Sequence, residues 1–296
     1  MSYLTRLTCS KNNLQAVILR IIHGGYLLLF TVIAGCAPST TTVQLSPATR
    51  AEVDAMLNTL QARYDLTGSL KITQMMVTIE EDEQREEIRE SLWYKKSENG
   101  GELLHIQALG PVNEPRGVAI ANQDKNQFML LLLNEQKAFL GPLADGVLRE
   151  IFGVDLRVSD VLSAIFANPF LDGRIDAFTS VETSGAKFTI TRPGVQKGHV
   201  ETIILFVRED EPRVTAWHIH DENGTLQQRA SFADYRQVGG ILRSHRVEIE
   251  RPLEQTRVTV KIAKAELNVE IKDSKFDIER FLTEDIEIIP LPQSGQ

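Results

Sequence analysis

Ala51-Glu52-Val53-Asp54-Ala55-Met56-Leu57-Asn58-Thr59-Leu60-Gln61-Ala62-Arg63-Tyr64-Asp65-Leu66-Thr67-Gly68-Ser69-Leu70-Lys71-Ile72-Thr73 changes its hydrophobic period part-way along. Val53, Met56, Leu57, Leu60 and Tyr64 fall at i, i+3, i+4, i+7 and i+11, one apolar stripe of a helix that packs on a core. From Leu66 onward the period shifts towards two. Leu70, Ile72 and Thr73 open a strand that runs to about Ile79. A helix thus leads into a chain that reads as strands almost to its end.

Downstream, residues 80 to 90 hold seven acids and two arginines, a solvated hairpin tip whose charge discourages strand pairing. Ile88 to Lys96 and Glu102 to Leu109 read as strands joined through the turn Asn99-Gly100-Gly101. Gly117 to Ala121, Phe128 to Leu133 and Ala138 to Leu140 follow. A helical interlude comes next. Asp145 to Phe152 is short. Ser159 then caps a helix carrying Val161, Leu162, Ile165 and Phe166, and Asn168-Pro169 ends it. Strands resume at Ala177 to Val181, Lys187 to Thr191, Glu201 to Val207, Val214 to His220, Leu226 to Tyr235, Ile241 to Ile249 and Arg257 to Ile271. In the last of these Val258, Val260 and Ile262 share one face, while Leu267, Val269 and Ile271 have the other parity. That slip predicts a bulge near Ala263-Lys264-Ala265. Pro290, Pro292 and Ser294-Gly295 mark a frayed tail. The fold class is mainly β (α+β). One leading and two short helices cannot cover both faces of ten or more antiparallel strands, so a single sheet must curve its apolar face onto them.

Upstream, Arg6, Lys11 and Arg20 precede an apolar run from Ile21 to Phe30, with no acid before Cys36. This is the charge pattern of an export signal. Val32-Ile33-Ala34-Gly35-Cys36 closes the run and resembles the lipobox of bacterial lipoproteins. The resemblance implies a signal peptide over 1–35, cut before Cys36, whose thiol is acylated. The rival reading, an uncleaved spanning helix, suffers from Arg20, His23, Gly24 and Gly25, because spanning needs ~20 apolar residues. Residues 36–47 form the lipidated cysteine and a small, polar, Pro-bounded tether. The folded domain covers 48–280, and 281–296 is a flexible tail. Ala37 after the cysteine, in place of Asp, implies the outer membrane in the lipoproteins this resembles.

The chain has 42% apolar residues, enough for a core, and a net charge of -8 that the loss of the basic leader makes more negative. General electrostatics therefore excludes nucleic acid as a partner. The two cysteines are Cys9 and Cys36. With one removed and the other acylated, no disulfide forms within a mature chain. There is no GxSxG, HExxH or P-loop, so neither an enzyme nor a cofactor is expected. His218 and His220 share a strand face without an identifiable third metal ligand. Glu201 and Asp234 are one of many conceivable acid–base pairs, and no catalytic or metal residue is selected.

The strand and helix order resembles the LolA/LolB family, carrier and receptor of bacterial lipoproteins. The resemblance runs from about Ala51 to Phe276. It rests on Leu66-Thr67-Gly68-Ser69-Leu70, on Leu109-Gly110-Pro111 with Arg116-Gly117-Val118, on Phe152-Gly153-Val154-Asp155 with Ser159-Asp160-Val161-Leu162 and Asn168-Pro169, and on Tyr235-Arg236 through Gly239-Gly240-Ile241. The acidic hairpin and the Pro-rich continuation of Leu109 depart from the family pattern. What the resemblance implies is an incomplete barrel with helices plugging its concave face. The implied protein is anchored on the periplasmic side of the outer membrane and binds acyl chains or lipoproteins, with a periplasmic carrier as donor. Leu109, Pro111 and Val112 would form a membrane-facing loop, though Leu109 reads equally as the end of a core strand. By parity, Trp93, Met129, Leu131, Leu133, Phe166, Phe178 and Trp217 line an apolar cavity, or else a dry packed core. The alternative function is a non-catalytic scaffold or sensor subunit of an envelope complex, with the acidic hairpin as partner surface.

Overall fold

The computed structural model describes residues 47–81, 84–143 and 158–291. The leader, Cys36, the tether and the helix expected over 145–152 lie outside the described residues. Helix α1 (Pro47–Asp65) enters the domain. The stripe read from its sequence is the face it buries: Val53, Met56, Leu57 and Leu60 are each 7% exposed or less.

Six antiparallel strands follow as a meander: β1 (Ser69–Glu81), β2 (Gln84–Lys96), β3 (Glu102–Leu109), β4 (Pro115–Asn122), β5 (Gln127–Leu132) and β6 (Lys137–Pro142). Helix α2 (Val158–Phe166) and a 3-10 turn (Pro169–Asp172) come next. A second meander then runs through β7 (Ser180–Ser184), β8 (Lys187–Pro193), β9 (Val200–Arg208), β10 (Glu211–His220), β11 (Leu226–Val238), β12 (Ile241–Arg251) and β13 (Thr256–Leu267). The meanders join where β13 pairs antiparallel with β1, and β14 (Glu287–Pro290) adds in parallel beyond β6. The result is one curved sheet in the order β14-β6-β5-β4-β3-β2-β1-β13-β12-β11-β10-β9-β8-β7. It is not closed, because β14 and β7 do not pair with each other. Both end strands are short, and β14 contains Pro290, two ways of blunting an exposed edge.

Local chemistry explains the joints. Gly239 (φ 56°) and Gly240 (φ 79°) occupy the two-residue turn between Val238 and Ile241, where both central residues need positive φ. The register between β1 and β13 breaks where Ile72 faces Ala265, Gln74 faces Lys264 and Met75 faces Ile262. This is the parity slip visible in the sequence. Past β13, Asn268 clips the α1–β1 connection. Its Oδ1 accepts from Gly68 N at 2.8 Å and its Nδ2 donates to Leu66 O at 2.9 Å.

The two faces of the sheet are covered differently. On one face, Leu70, Ile72, Leu92, Tyr94, Phe128 and Leu130 pack with Leu162 and Ile165 of α2. Farther along that face, Ile190, Ile203, Leu205, Val214, Trp217 and Phe232 pack with α1. Among the described residues, the opposite face is covered near one end, by the segment after β13. There Val118, Ile120, Met129, Leu131 and Ala138 meet Ile278, and Leu103 meets Ile271 and Phe276. His105 sits fully buried between Trp93 and Phe281, and its Nδ1–H donates to the Lys275 carbonyl at 2.6 Å. Around β12 and β13 this same face instead carries charges, with Arg257 reaching Glu250 at 2.9 Å and Glu248 at 3.6 Å.

Four expectations need correction. The acidic stretch is no wide tip, since β1 and β2 stay paired out to Glu81 opposite Gln84. Ser159 is inside α2 and does not cap it. β7 begins at Ser180, later than the strand expected from Ala177. Residues 281–291 are not a flexible tail, because Phe281, Leu282 and Ile286 pack on the sheet, β14 pairs with β6 and Leu291 is buried. Ile278 is 6% exposed within that covering segment. Ile278→Ala should therefore cost about 2–5 kcal/mol in denaturant unfolding, as expected of a side chain packed in a covering segment.

Candidate functional site

The two helices and the face beneath them form the candidate site. α1 is pinned at its ends. Near its start Arg50 pairs with Asp54 at 2.9 Å and lies 4.4 Å over the Phe178 ring. Near its end Arg63 bonds Glu211 and donates to the Pro212 carbonyl at 2.6 Å. Tyr64 hydrogen-bonds Glu102, which also accepts from Tyr94 at 2.8 Å, and Lys96 lies 3.9 Å over the Tyr64 ring. Burial raises the Glu102 carboxyl, against the hydrogen bonds it accepts, which favour its charged form. α2 is nine residues long, and one polar tie holding it to the sheet is Arg243 Nη2 to the Ile165 carbonyl at 3.0 Å.

The helices fit closely. The free space where they meet β11 and β12 is ≈ 20 Å³, room for about one water. Leu60, Arg63 and Tyr64 of α1, Phe166, Ala167 and Asn168 at the end of α2, Tyr235 of β11 and Leu242 and Arg243 of β12 border this cleft. The apolar face is thus closed, with a seam between its two lids.

The seven residues expected to line one cavity do not converge. Phe166, Phe178 and Trp217 belong to the helix-covered face. Met129, Leu131 and Leu133 lie on the opposite face under the C-terminal segment, and Trp93 packs there with Leu103 and Phe276. In β5 the alternation decides it: Phe128 and Leu130 face the helices, Met129 and Leu131 do not. Leu109 is partly buried at the end of β3. The exposed apolar group of that loop is Val112, 83% accessible, next to exposed Pro111. The loop is braced: Gly110 N donates to Glu114 O at 2.7 Å, and Arg89 donates to Gly110 O at 3.0 Å and to Asn113 Oδ1 at 3.1 Å.

Sequence reading missed the buried charges. Arg192 is fully buried, with Nε 2.9 Å from Glu201 and Nη2 2.9 Å from Asp172. Trp217 Nε1 also donates to Glu201 at 3.2 Å. Burial alone would raise the Asp172 carboxyl, but Arg192 and Arg174 outweigh it and hold it below its ordinary value. Glu201 is therefore engaged in this network, while Asp234 pairs with Arg236 at 2.5 Å on the surface. His218 and His220 lie with ring centroids 6.2 Å apart. Among the described residues no group of three His, Cys, Asp or Glu is placed to hold a metal ion.

No family model matches the chain, and no curated protein does. Solved structures do. A DUF1329 family protein from Desulfovibrio piger shares 13% identity, with 78% of this chain and 99% of that one covered and a TM-score of 0.58. A domain assigned to an outer membrane lipoprotein-sorting protein of Vibrio parahaemolyticus shares 12%, covering 77% and 98%, with a TM-score of 0.56. A LolA superfamily protein from Nitrosomonas europaea shares 11%, covering 76% and 98%, with a TM-score of 0.51. At such identities the likeness is one of fold, and the fold is LolA/LolB-like.

One titration reports on the lidded face. Glu90 has the parity of Leu92 and Tyr94 and sits opposite Met75, and burial pushes its carboxyl from 4.5 up to about 7. The folded state then binds the proton more tightly than the unfolded chain. Glu90 thus costs stability progressively as pH rises from about 4.5 to about 7, at most about 1.4 kcal/mol per pH unit, and the cost is constant above. His105, drawn down to about 4 by burial, acts with the opposite sign over much of that range. Subtraction of a variant isolates Glu90. The stability of Glu90→Gln minus that of the parent should climb between pH 4.5 and 7 in urea titrations, and a flat difference would refute the assignment.

Proposed function

We propose that this chain is a bacterial envelope lipoprotein that holds acyl chains, free or belonging to a lipoprotein, against the helix-covered face of its sheet. In this reading residues 1–35 are removed as a signal peptide. Acylated Cys36 fixes the protein to the periplasmic side of the outer membrane through the tether 36–47, and a periplasmic carrier hands over the cargo. The supports are the export-signal charge pattern ending at Cys36 and the LolA/LolB-like fold. The observation that carries the reading is an extended apolar face covered by two helices that meet over a cleft of only ≈ 20 Å³.

An acyl chain can enter only by exchanging places with helix side chains. Releasing Leu57, Leu60, Leu162 and Ile165 to water costs roughly 2 kcal/mol each. Burying a dozen methylenes returns about 0.8 kcal/mol apiece. The terms nearly balance, so binding is reversible and needs no covalent chemistry, which suits a protein that must release what it takes. The short α2 is the part that gives way first.

The purified full chain should take up a fluorescent fatty acid. Hydrogen exchange should then quicken in α1 and α2 while β1, β2 and β13 keep their protection. A preparation with no co-purified acyl chain and no probe uptake would overturn the proposal. Val112 supplies the second, weaker membrane contact. Val112→Glu should leave stability within about 0.5 kcal/mol but lower the fraction bound to zwitterionic vesicles in co-sedimentation of chain lacking the acylated cysteine.

A further inference from the structure

Two polar side chains beside the seam between the lids each keep one buried donor atom without an acceptor. Arg243 is 4% exposed and Asn168 2%. Arg243 Nε and Asn168 Nδ2 are buried donors with no acceptor. The orientation of the Asn168 amide is set by its own Oδ1, which accepts from Phe170 N at 3.1 Å, so its NH2 group is the free end. Both residues border the same cleft.

The charge around Arg243 is equally incomplete. Buried Arg192 has two carboxylates within 3 Å. Among the described residues no carboxylate forms an ion pair with Arg243, whose neighbours are the Ile165 carbonyl and the Phe166 ring. Burial lowers its guanidinium to about 10, so it stays charged at neutral pH. Arg63, on the other side of the cleft, is already held by Glu211 and the Pro212 carbonyl. A buried cation without a counter-charge is costly, and a bound anion removes that cost.

We infer that this cleft is the seat of an aliphatic carboxylate, with Arg243 and Asn168 donating to its oxygens and its chain running onto Leu60, Phe166 and Leu242. The cleft offers a surface to both halves of such a ligand. Its ≈ 20 Å³ admits a small head group in place of a water. Leu60, Phe166, Ala167, Ile241 and Leu242 make the apolar part of its border, beside Arg63, Tyr64, Thr67 and Tyr235, so a charge at the end of an apolar chain meets both kinds of surface. This inference rests on the acyl-binding reading and makes it more specific: the preferred ligand is a fatty acid anion.

The test compares decanoate, decanol and acetate on the full chain by calorimetry. Decanoate should bind about 10- to 100-fold more tightly than decanol, the gain of charge-assisted hydrogen bonds in a dry site. Acetate, charge without chain, should bind far more weakly than either, and acetate as tight as decanoate would show a small-anion site instead. Arg243→Met, similar in volume and free of the buried charge, should bring decanoate down to decanol. Independently of any variant, 1-13C-decanoate bound to the parent chain should titrate below its pKa in water. Equal affinity for decanoate and decanol, or a carboxyl pKa raised on binding, overturns the carboxylate seat while leaving acyl binding intact. Binding by neither overturns both.

Discussion

The pairing of β1 with β13 is the constraint on which the rest of the domain depends. Each meander is built from neighbours in sequence and would hang together as a local ribbon. Only the ladder from Leu70–Leu267 to Glu81–Thr256 makes them one sheet. β1 and β2 bury Leu70, Ile72, Leu92 and Tyr94 to 0% exposure on the helix-covered face. The bulge between Ile72 and Met75 bends this seam, and a seam that bends at its centre gives the two wings a common hollow in which α1 and α2 lie.

Most of that frame could be read from the residues. The helical stripe of α1, nearly every strand, the Gly239-Gly240 turn and the parity slip at Ala263 to Ala265 are local signals. Local signals survive into the fold because propensity, pattern and turn chemistry agree there. What sequence could not supply was which face a residue looks to when both are apolar. Phe128-Met129-Leu130-Leu131-Leu132 is a continuous apolar run, the mark of a strand buried on both sides. Parity sorts such a run into two sets but cannot say which set meets the helices. Met129, Leu131 and Leu133 were thereby drawn to the wrong side. The cause is the C-terminal covering segment, which meets that face through Ile278 and continues through Phe281 and Ile286, residues of the stretch that reads as a tail.

The buried arginines show the same limit in electrostatic form. Arg192 and Arg243 are indistinguishable in sequence, each a cation set among the alternating apolar and polar residues of a strand. Folding brings Asp172 and Glu201 to one and leaves the other facing a helix carbonyl and an aromatic ring. The loop after β3 follows this pattern in miniature. Its family likeness pointed to Leu109, but the brace of Arg89, Glu114 and Asn113 turns the chain so that Val112 stands outermost.

The distance along the chain between β1 and its second partner has a consequence for biogenesis. A chain made N-terminus first delivers β2 to β1 at once, but β13 only after nearly the whole domain has emerged. Until then one flank of an apolar strand offers unpaired amides and carbonyls to any other extended chain nearby. Non-local closure of this kind is slow. The nascent domain therefore passes through a stage with an open edge at its centre, which ends only with the arrival of its last long strand.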